Sequence, residues 1–194
     1  KGENTSAVFG FVNSLLKIIR DEHPDYLAVA WDSKAPTIRH AQYAEYKSTR
    51  AKMPDDLRPQ IERIRQMVDA FDVQRIEVEG FEADDVLGSI ARQAVKLGMG
   101  VKIITGDKDL LQLVDNRTVV TLPGSKLSEG KDYFEKEVKE TLGVTPKQVI
   151  DYKALVGDHS DNYPGVPGVG EKTAVMLIEQ YDNLDNIYAH LEEI

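Results

Sequence analysis

Apolar residues three and four apart open the chain. Val8, Phe11, Val12, Leu15, Leu16 and Ile19 share one face, which predicts an amphipathic helix over 7–20. "YLAVAW" at 26–31 is instead a short unbroken apolar run, the pattern of a buried strand, and Asp32 ends it. The stretch that follows, "APTIRHAQYAEYKSTRAKMP", offers few core residues. Helical spacing returns from about residue 57, where Ile61, Ile64, Val68 and Phe71 fall on one side. A strand near "VQRIEVEG" then leads into "FEADDVLGSIARQAVKLG", a predicted helix with an acidic start and Gly98 at its end. "VKIIT" is a further buried strand, and it too runs into acid, "GDKD".

Strands and helices in alternation predict an α/β fold, a mainly parallel sheet joined by right-handed crossovers with helices on both faces. After about 118–123 the pattern changes. "DYFEKEVKETLG", "TPKQVIDYKALVG" and "GEKTAVMLIEQY" are short helical patterns separated by Gly, Pro and Asn. They predict a small all-helical module over 130–194, appended to a core over 1–129. In open α/β sheets, ligands bind beyond the carboxyl ends of the strands. Asp32, the acids at 82–85, and Asp107 with Asp109 all follow predicted strands in that way.

Composition narrows the reading without deciding it. A chain of 194 residues with 41% hydrophobic residues can bury a real core. Its apolar runs are too short to span a membrane, so no membrane partner is expected. No secretory leader opens the chain, and the absence of cysteine fits a reducing cytoplasm. The four histidines are scattered, with no zinc-ligand spacing between them. A formal charge of −9 argues against nucleic acid as a partner. Gathering carboxylates around bound cations, however, would invert the sign of the field at the site itself.

The acids supply a reason to gather them. "FEADD" alone is an ordinary acidic helix start, favoured by capping and the macrodipole. "GDKD" is an ordinary exit turn, and "GDHSDN" an ordinary solvated turn. Together they provide eight carboxylates: Asp32, Glu82, Asp84, Asp85, Asp107, Asp109, Asp158 and Asp161. Hard divalent cations such as Mg²⁺ take oxygen ligands, and two ions in one cleft would use a set of about this size.

Two further stretches point to a phosphate-bearing polymer. "PGVPGVGEKTA" alternates Val with Gly and then opens a helix. Such a turn presents backbone N–H groups to phosphate, with Gly165, Val166, Gly168, Val169, Gly170, Lys172 and Thr173 as contacts. Over 39–52, Arg39, Lys47, Arg50 and Lys52 are interleaved with Tyr43 and Tyr46. Basic groups can track a strand's backbone while aromatic rings stack its bases. The plain alternatives are a flexible linker and a charged helix face.

"WDSKAPTIRH", "YKSTR", "FEADDVLGSIA", "TGDKDLLQLV" and "ALVGDHSDNYPGVPGVGEKTA", in this order, resemble the 5′-nuclease domain at the front of bacterial DNA polymerase I, which is similar to phage and cellular flap endonucleases. The resemblance covers essentially the whole chain. It implies a PIN-like (Rossmann-like) core with a helix-three-turn-helix module, of the helix-hairpin-helix type. It implies one metal held by Asp32, Glu82 and Asp84 with Asp85 close by, and a second held by Asp107, Asp109, Asp158 and Asp161. It also implies two-metal-ion water attack with Mg²⁺, Mn²⁺ as a substitute, and K⁺ at the hairpin. Asp32, Asp84 and Asp107 would be catalytic with Lys47 and Arg50, which match a basic pair that orients the scissile phosphate. The expected substrate is DNA with a 5′ flap or 5′ end beside duplex, cut by a monomer on the nucleoid, with a polymerase domain on the same polypeptide.

Members of that family begin with a strand ending in another ligand aspartate, upstream of Lys1. The chain is therefore expected to be a fragment, and its activity turns on that piece. Two other readings stay open. A haloacid-dehalogenase-like phosphatase would use Asp107 and Asp109 with "GDHSDN", but would leave Asp32 and "EADD" idle. A junction-binding remnant would grip DNA without cutting it.

Overall fold

The computed structural model describes residues 2, 4–124 and 130–193. The chain divides into two compact units, Lys1–Ala41 with Ala51–Val86, and Gln42–Arg50 with Leu87–Ile194.

In the first unit, α1 (Ser6–Glu22) is two residues longer at its end than the periodicity predicts, and it stops at His23, which takes a left-handed conformation (φ 45°). Its apolar face packs on α3 (Arg58–Ala70), with Leu15, Ile64 and Val68 fully buried. Phe11, Leu27, Val29, Trp31, Phe71 and Val73 close around them. Buried Gln60 joins the two helices: its Oε1 accepts from Ala7 N at 2.8 Å, satisfying a donor that the first turn of α1 leaves without a helical partner. β1 (Ala28–Trp31) and β2 (Gln74–Glu77) pair in parallel, with Trp31 opposite Glu77. Between them lies the short α2 (Ile38–Gln42).

The second unit has the larger core. β3 (Val101–Ile104) pairs in parallel with β4 (Thr118–Leu122), and β4 pairs antiparallel with β5 (Lys131–Tyr133). β4 and β5 were not expected as strands. "TVVTL" is buried at alternate positions, a two-residue period that the flanking Asp, Pro and Gly disguise in the sequence. The predicted helix at "DYFEKEVKETLG" begins only at α5 (Glu135–Leu142), because the residues before it complete β5. Residues 125–129, against which the expected domain boundary was drawn, lie outside the described residues.

α4 (Ala83–Lys96) starts in the first unit and continues into the second, where Ala91 joins the core. α6 (Val149–Val156), α7 (Glu171–Tyr181) and α8 (Leu184–Ala189) follow. Val149, Tyr152 and Leu155 from α6, with Ala174, Leu177 and Ile178 from α7, pack with Leu111, Val120 and Val138. Between α6 and α7 runs a minimal hairpin, β6 (Gly157–Asp158) against β7 (Tyr163–Pro164). Among the described residues no helix is long and apolar enough to cross a membrane.

Candidate nuclease site

The acids of the first unit meet at the start of α4. Asp32, directly after β1, accepts from Ala83 N through Oδ1 at 2.8 Å, and so covers one of the exposed donors of the first turn. Asp85 Oδ2 accepts from Glu82 N at 3.0 Å, the backward half of a capping box. Arg39 binds the same carboxylate in a two-pronged ion pair, at 2.7 and 2.8 Å. Glu82 is itself buried, at 8% exposure, and Asp84 stands in the same first turn. The "FEADD" motif is thus a helix start whose first turn carries Asp84 and Asp85, with Asp32 fixed on its backbone.

In the second unit the acids come from loops. Asp107 caps the 3-10 turn Lys108–Leu113 by accepting from Asp109 N at 2.8 Å. Lys153 of α6 reaches out between two carboxylates, 2.7 Å from Asp109 Oδ1 and 2.8 Å from Asp158 Oδ2. Asp158 Oδ1 accepts from both the backbone N–H (2.8 Å) and the hydroxyl (2.7 Å) of Ser160. Asp161 Oδ1 pairs with Arg50 at 2.6 Å, and its Oδ2 accepts from the Tyr46 hydroxyl at 3.1 Å.

These arrangements shift the acids in opposite directions. Burial would raise the Asp158 carboxyl, but hydrogen bonds from Lys153 and Ser160 outweigh it and hold the group well below the usual carboxylate range. Burial also dominates at Asp109, where Lys153 offsets it only in part and the carboxyl ends up raised. Lys153 is depressed by burial, yet its two carboxylate partners more than compensate and keep it firmly charged.

Among the described residues no three acidic or histidine side chains stand together as a ready ion-binding group, and Arg39, Arg50, Tyr46 and Lys153 engage several of the acids. The donor set nevertheless suits a hard cation. It is all oxygen, and Asp109 and Asp158 already converge within reach of one positive charge.

The expected DNA contacts divide between the units. Arg39 and Lys52 belong to the first, while Tyr43, Tyr46, Lys47 and Arg50 belong to the second. The glycines of the later hairpin have distinct local reasons. A side chain at Gly165 would collide with the backbone of Val156 and Gly157, so glycine is required by the chain's own close packing. Gly168 has φ +85° and open space around it, which marks a turn. Gly170 opens α7 without a side-chain cap, leaving the first-turn N–H groups near Lys172 and Thr173 unclaimed by a capping side chain. Val169 packs against the core, whereas Val166 is half exposed.

Sequence reasoning missed Lys153, Ser160, Asn162 and Tyr163. Lys153 lies on α6 between buried Tyr152 and Leu155, ahead of the acidic loop, and which face of that helix is buried is not written in the local spacing.

Residues 1–143 match the family model for the 5′-3′ exonuclease N-terminal resolvase-like domain, and residues 144–194 match that for the 5′-3′ exonuclease C-terminal SAM fold. The chain belongs to the 5′-3′ exonuclease family. It is 44% identical to DNA polymerase I of Bacillus subtilis over 194 residues, all of this chain and 22% of that protein. It is 48% identical over 192 residues to DNA polymerase I of Caldicellulosiruptor bescii, 98% of this chain and 23% of that protein. The chain thus spans under a quarter of the length of these relatives. Among solved structures, the phage T5 5′-exonuclease with bound zinc superposes with a TM-score of 0.78 at 23% identity, over 98% of this chain and 72% of that one. The catalytic core of Rad2 in complex with DNA substrate gives 0.61 at 18%, over 94% and 55%. These likenesses establish the fold, a PIN-type resolvase-like domain with a helical SAM-fold domain. Membership of this family displaces the phosphatase reading.

Proposed function

We propose that this chain is the 5′-nuclease portion of a polymerase-I-type protein, a divalent-metal-dependent enzyme that hydrolyses phosphodiesters at 5′ flaps and 5′ ends of DNA. The observation that carries the reading is Lys153, held between Asp109 and Asp158: two carboxylates from separate loops are preplaced around one positive charge. Asp32, Glu82, Asp84 and Asp85 would hold one ion, and Asp107, Asp109, Asp158 and Asp161 another, Mg²⁺ by preference and Mn²⁺ as a substitute. Bound divalent cations lower the pKa of water and neutralise charge developing on a phosphate.

The chain's own groups do the rest. Lys47 and Arg50 orient the scissile phosphate and stabilise its charge, and Arg39, Lys52, Tyr43 and Tyr46 accompany the single strand. The 163–173 hairpin grips duplex backbone through its N–H groups, Lys172 and Thr173, and would hold K⁺. A nuclease core over 1–129 and a helical module over 130–194 that lends Asp158 and Asp161 is the division that goes with this reading. Relatives named DNA polymerase I support a polymerase domain on the same polypeptide, and the enzyme is proposed to act as a monomer.

The deciding experiment is cleavage of a 5′-labelled flap duplex by this chain in Mg²⁺, against EDTA. Cuts within a nucleotide or so of the junction are expected, and Asp107→Asn should lower the rate by more than about a hundred-fold while leaving flap binding largely intact. Unchanged turnover in that variant would sink the ion assignment. Flap binding by the unaltered chain with no cleavage in any divalent metal would favour the junction-binding reading.

A further inference from the structure

Residues 42–50, the middle of the basic and aromatic segment expected over 39–52, fold as part of the second unit, clasped to the turn between β6 and β7. The clasp has an aromatic half and a polar half. Tyr163 stacks on Tyr43, with ring centroids 5.2 Å apart, and lies 5.5 Å from the Tyr46 ring. Tyr46 is 3% exposed, and the Lys47 ammonium sits 4.8 Å above its ring. Asn162 donates through Nδ2 to Glu45 O at 2.9 Å and to Ser48 Oγ at 3.1 Å, and its own carbonyl accepts from the Tyr43 hydroxyl at 3.2 Å.

Both sides of the clasp contain a strained residue. Lys47 has φ 54° and Asn162 has φ 61°, a region that asparagine tolerates and lysine rarely enters. Lys47 N donates to Asp161 O at 3.0 Å, so its unusual backbone conformation is held from across the turn. Arg50 Nε donates to Ser160 O at 3.2 Å while its Nη2 pairs with Asp161. Residues 160–163, and the Tyr46 ring that Tyr163 supports, thus hold both the Lys47 backbone and the Arg50 guanidinium.

We infer that Asn162 and Tyr163 are positioning residues: they fix Lys47 and Arg50 in the orientation that acts on the scissile phosphate. The inference rests on the nuclease reading for the phosphate, and on geometry alone for the clasp. Asn162→Gly keeps the positive φ accessible and removes only the side-chain hydrogen bonds. Tyr163→Ala removes the ring, and Tyr163→Phe keeps it.

The test pairs amide hydrogen exchange over 42–50 with flap cleavage by the same variants. Asn162→Gly and Tyr163→Ala should speed exchange in this segment roughly tenfold, because local opening no longer breaks the clasp contacts. Both should lower kcat about tenfold or more with KM little changed, and the Mg²⁺ concentration for half-maximal rate should stay put, since Asp161 itself is intact. Tyr163→Phe should match the unaltered chain in every readout. Unchanged exchange in both disruptive variants would overturn the clasp. Faster exchange with undiminished kcat would overturn the positioning role. If the unaltered chain cuts no flap at all, the nuclease reading fails and the positioning role with it, while the exchange result still decides the clasp.

Discussion

The two units hold their acids in contrasting ways. In the first, the acids are local: Glu82, Asp84 and Asp85 fall within one turn of α4, and Asp32 and Asp85 are fixed by its backbone N–H groups. In the second, Asp107 and Asp109 come from one segment and Asp158 and Asp161 from another; beside local bonds from backbone N–H groups and Ser160, three of them meet side chains of other elements, Asp109 and Asp158 sharing Lys153 and Asp161 pairing with Arg50. The cores differ to match. Among the described residues the apolar core cluster of the first unit has three buried members and that of the second sixteen. A site built on helix geometry needs little tertiary packing to keep its shape. A site assembled from loops depends on the packing behind each loop, and the second unit supplies that packing with Leu110 and Leu111 beneath Asp109, and with Tyr152 and Leu155 on either side of Lys153.

This contrast can be broken most forcefully from the core. Leu111 is fully buried in the second unit, and Leu111→Ala should cost about 2–5 kcal/mol. Val68→Ala in the first unit should cost about 2 kcal/mol, the smaller change in volume giving the smaller loss. Trp31, the chain's one tryptophan, lies in the first unit and gives a separate readout. Urea unfolding followed by tryptophan fluorescence should shift with Val68→Ala, and helix loss followed by circular dichroism should shift more with Leu111→Ala. Identical shifts in both signals for both variants would show that the units do not differ in stability.

A smaller effect should separate the two ways of holding acids. Lys153→Met leaves Asp109 and Asp158 facing each other without their shared cation, and should cost about 1 kcal/mol, since all three side chains keep some contact with solvent. Arg39→Met should cost less, because Glu82 N still donates to Asp85. Added Mg²⁺ should then raise the unfolding midpoint of Lys153→Met more than that of the unaltered chain, the ion taking over the lysine's position. An equal Mg²⁺ response in both proteins would mean that Lys153 and the ion do not share these carboxylates.

What the sequence disclosed follows the same division. The helix at 7–20, the strands ending at Trp31 and near Ile104, and the acidic start of α4 were legible because short-range periodicity and capping chemistry determine them. β4 and β5 were not, since the flanking Asp, Pro and Gly disguise the two-residue period of "TVVTL", and "KDY" becomes a strand only by pairing with it. Asp158 and Asp161 could be named from their motif, yet Lys153 and the clasp of Asn162 and Tyr163 on residues 43–50 could not. Those contacts link positions more than a hundred residues apart or depend on which face of α6 is buried, and neither is written in local spacing.

Acid titration should show the smallest difference, and it isolates the second unit's loops. Asp158 has its carboxyl held below its unfolded value, so its contribution is present above the unfolded pKa of about 4 and drains away as pH falls further. Asp109 has the opposite sign. Its folded carboxyl is raised, so its contribution is complete below the unfolded pKa and is lost as pH rises through the folded one. On lowering pH from 7, the unaltered chain should first gain slightly as Asp109 takes its proton, and then lose as Asp158 follows. Asp109→Asn should abolish the gain and leave the loss, and Asp158→Asn should flatten the loss and leave the gain. Urea midpoints measured between about pH 3 and pH 7 would check both. Matching acid limbs in the two variants would mean that Lys153 does not discriminate between its partners, and the unequal sharing inferred from burial would have to be abandoned.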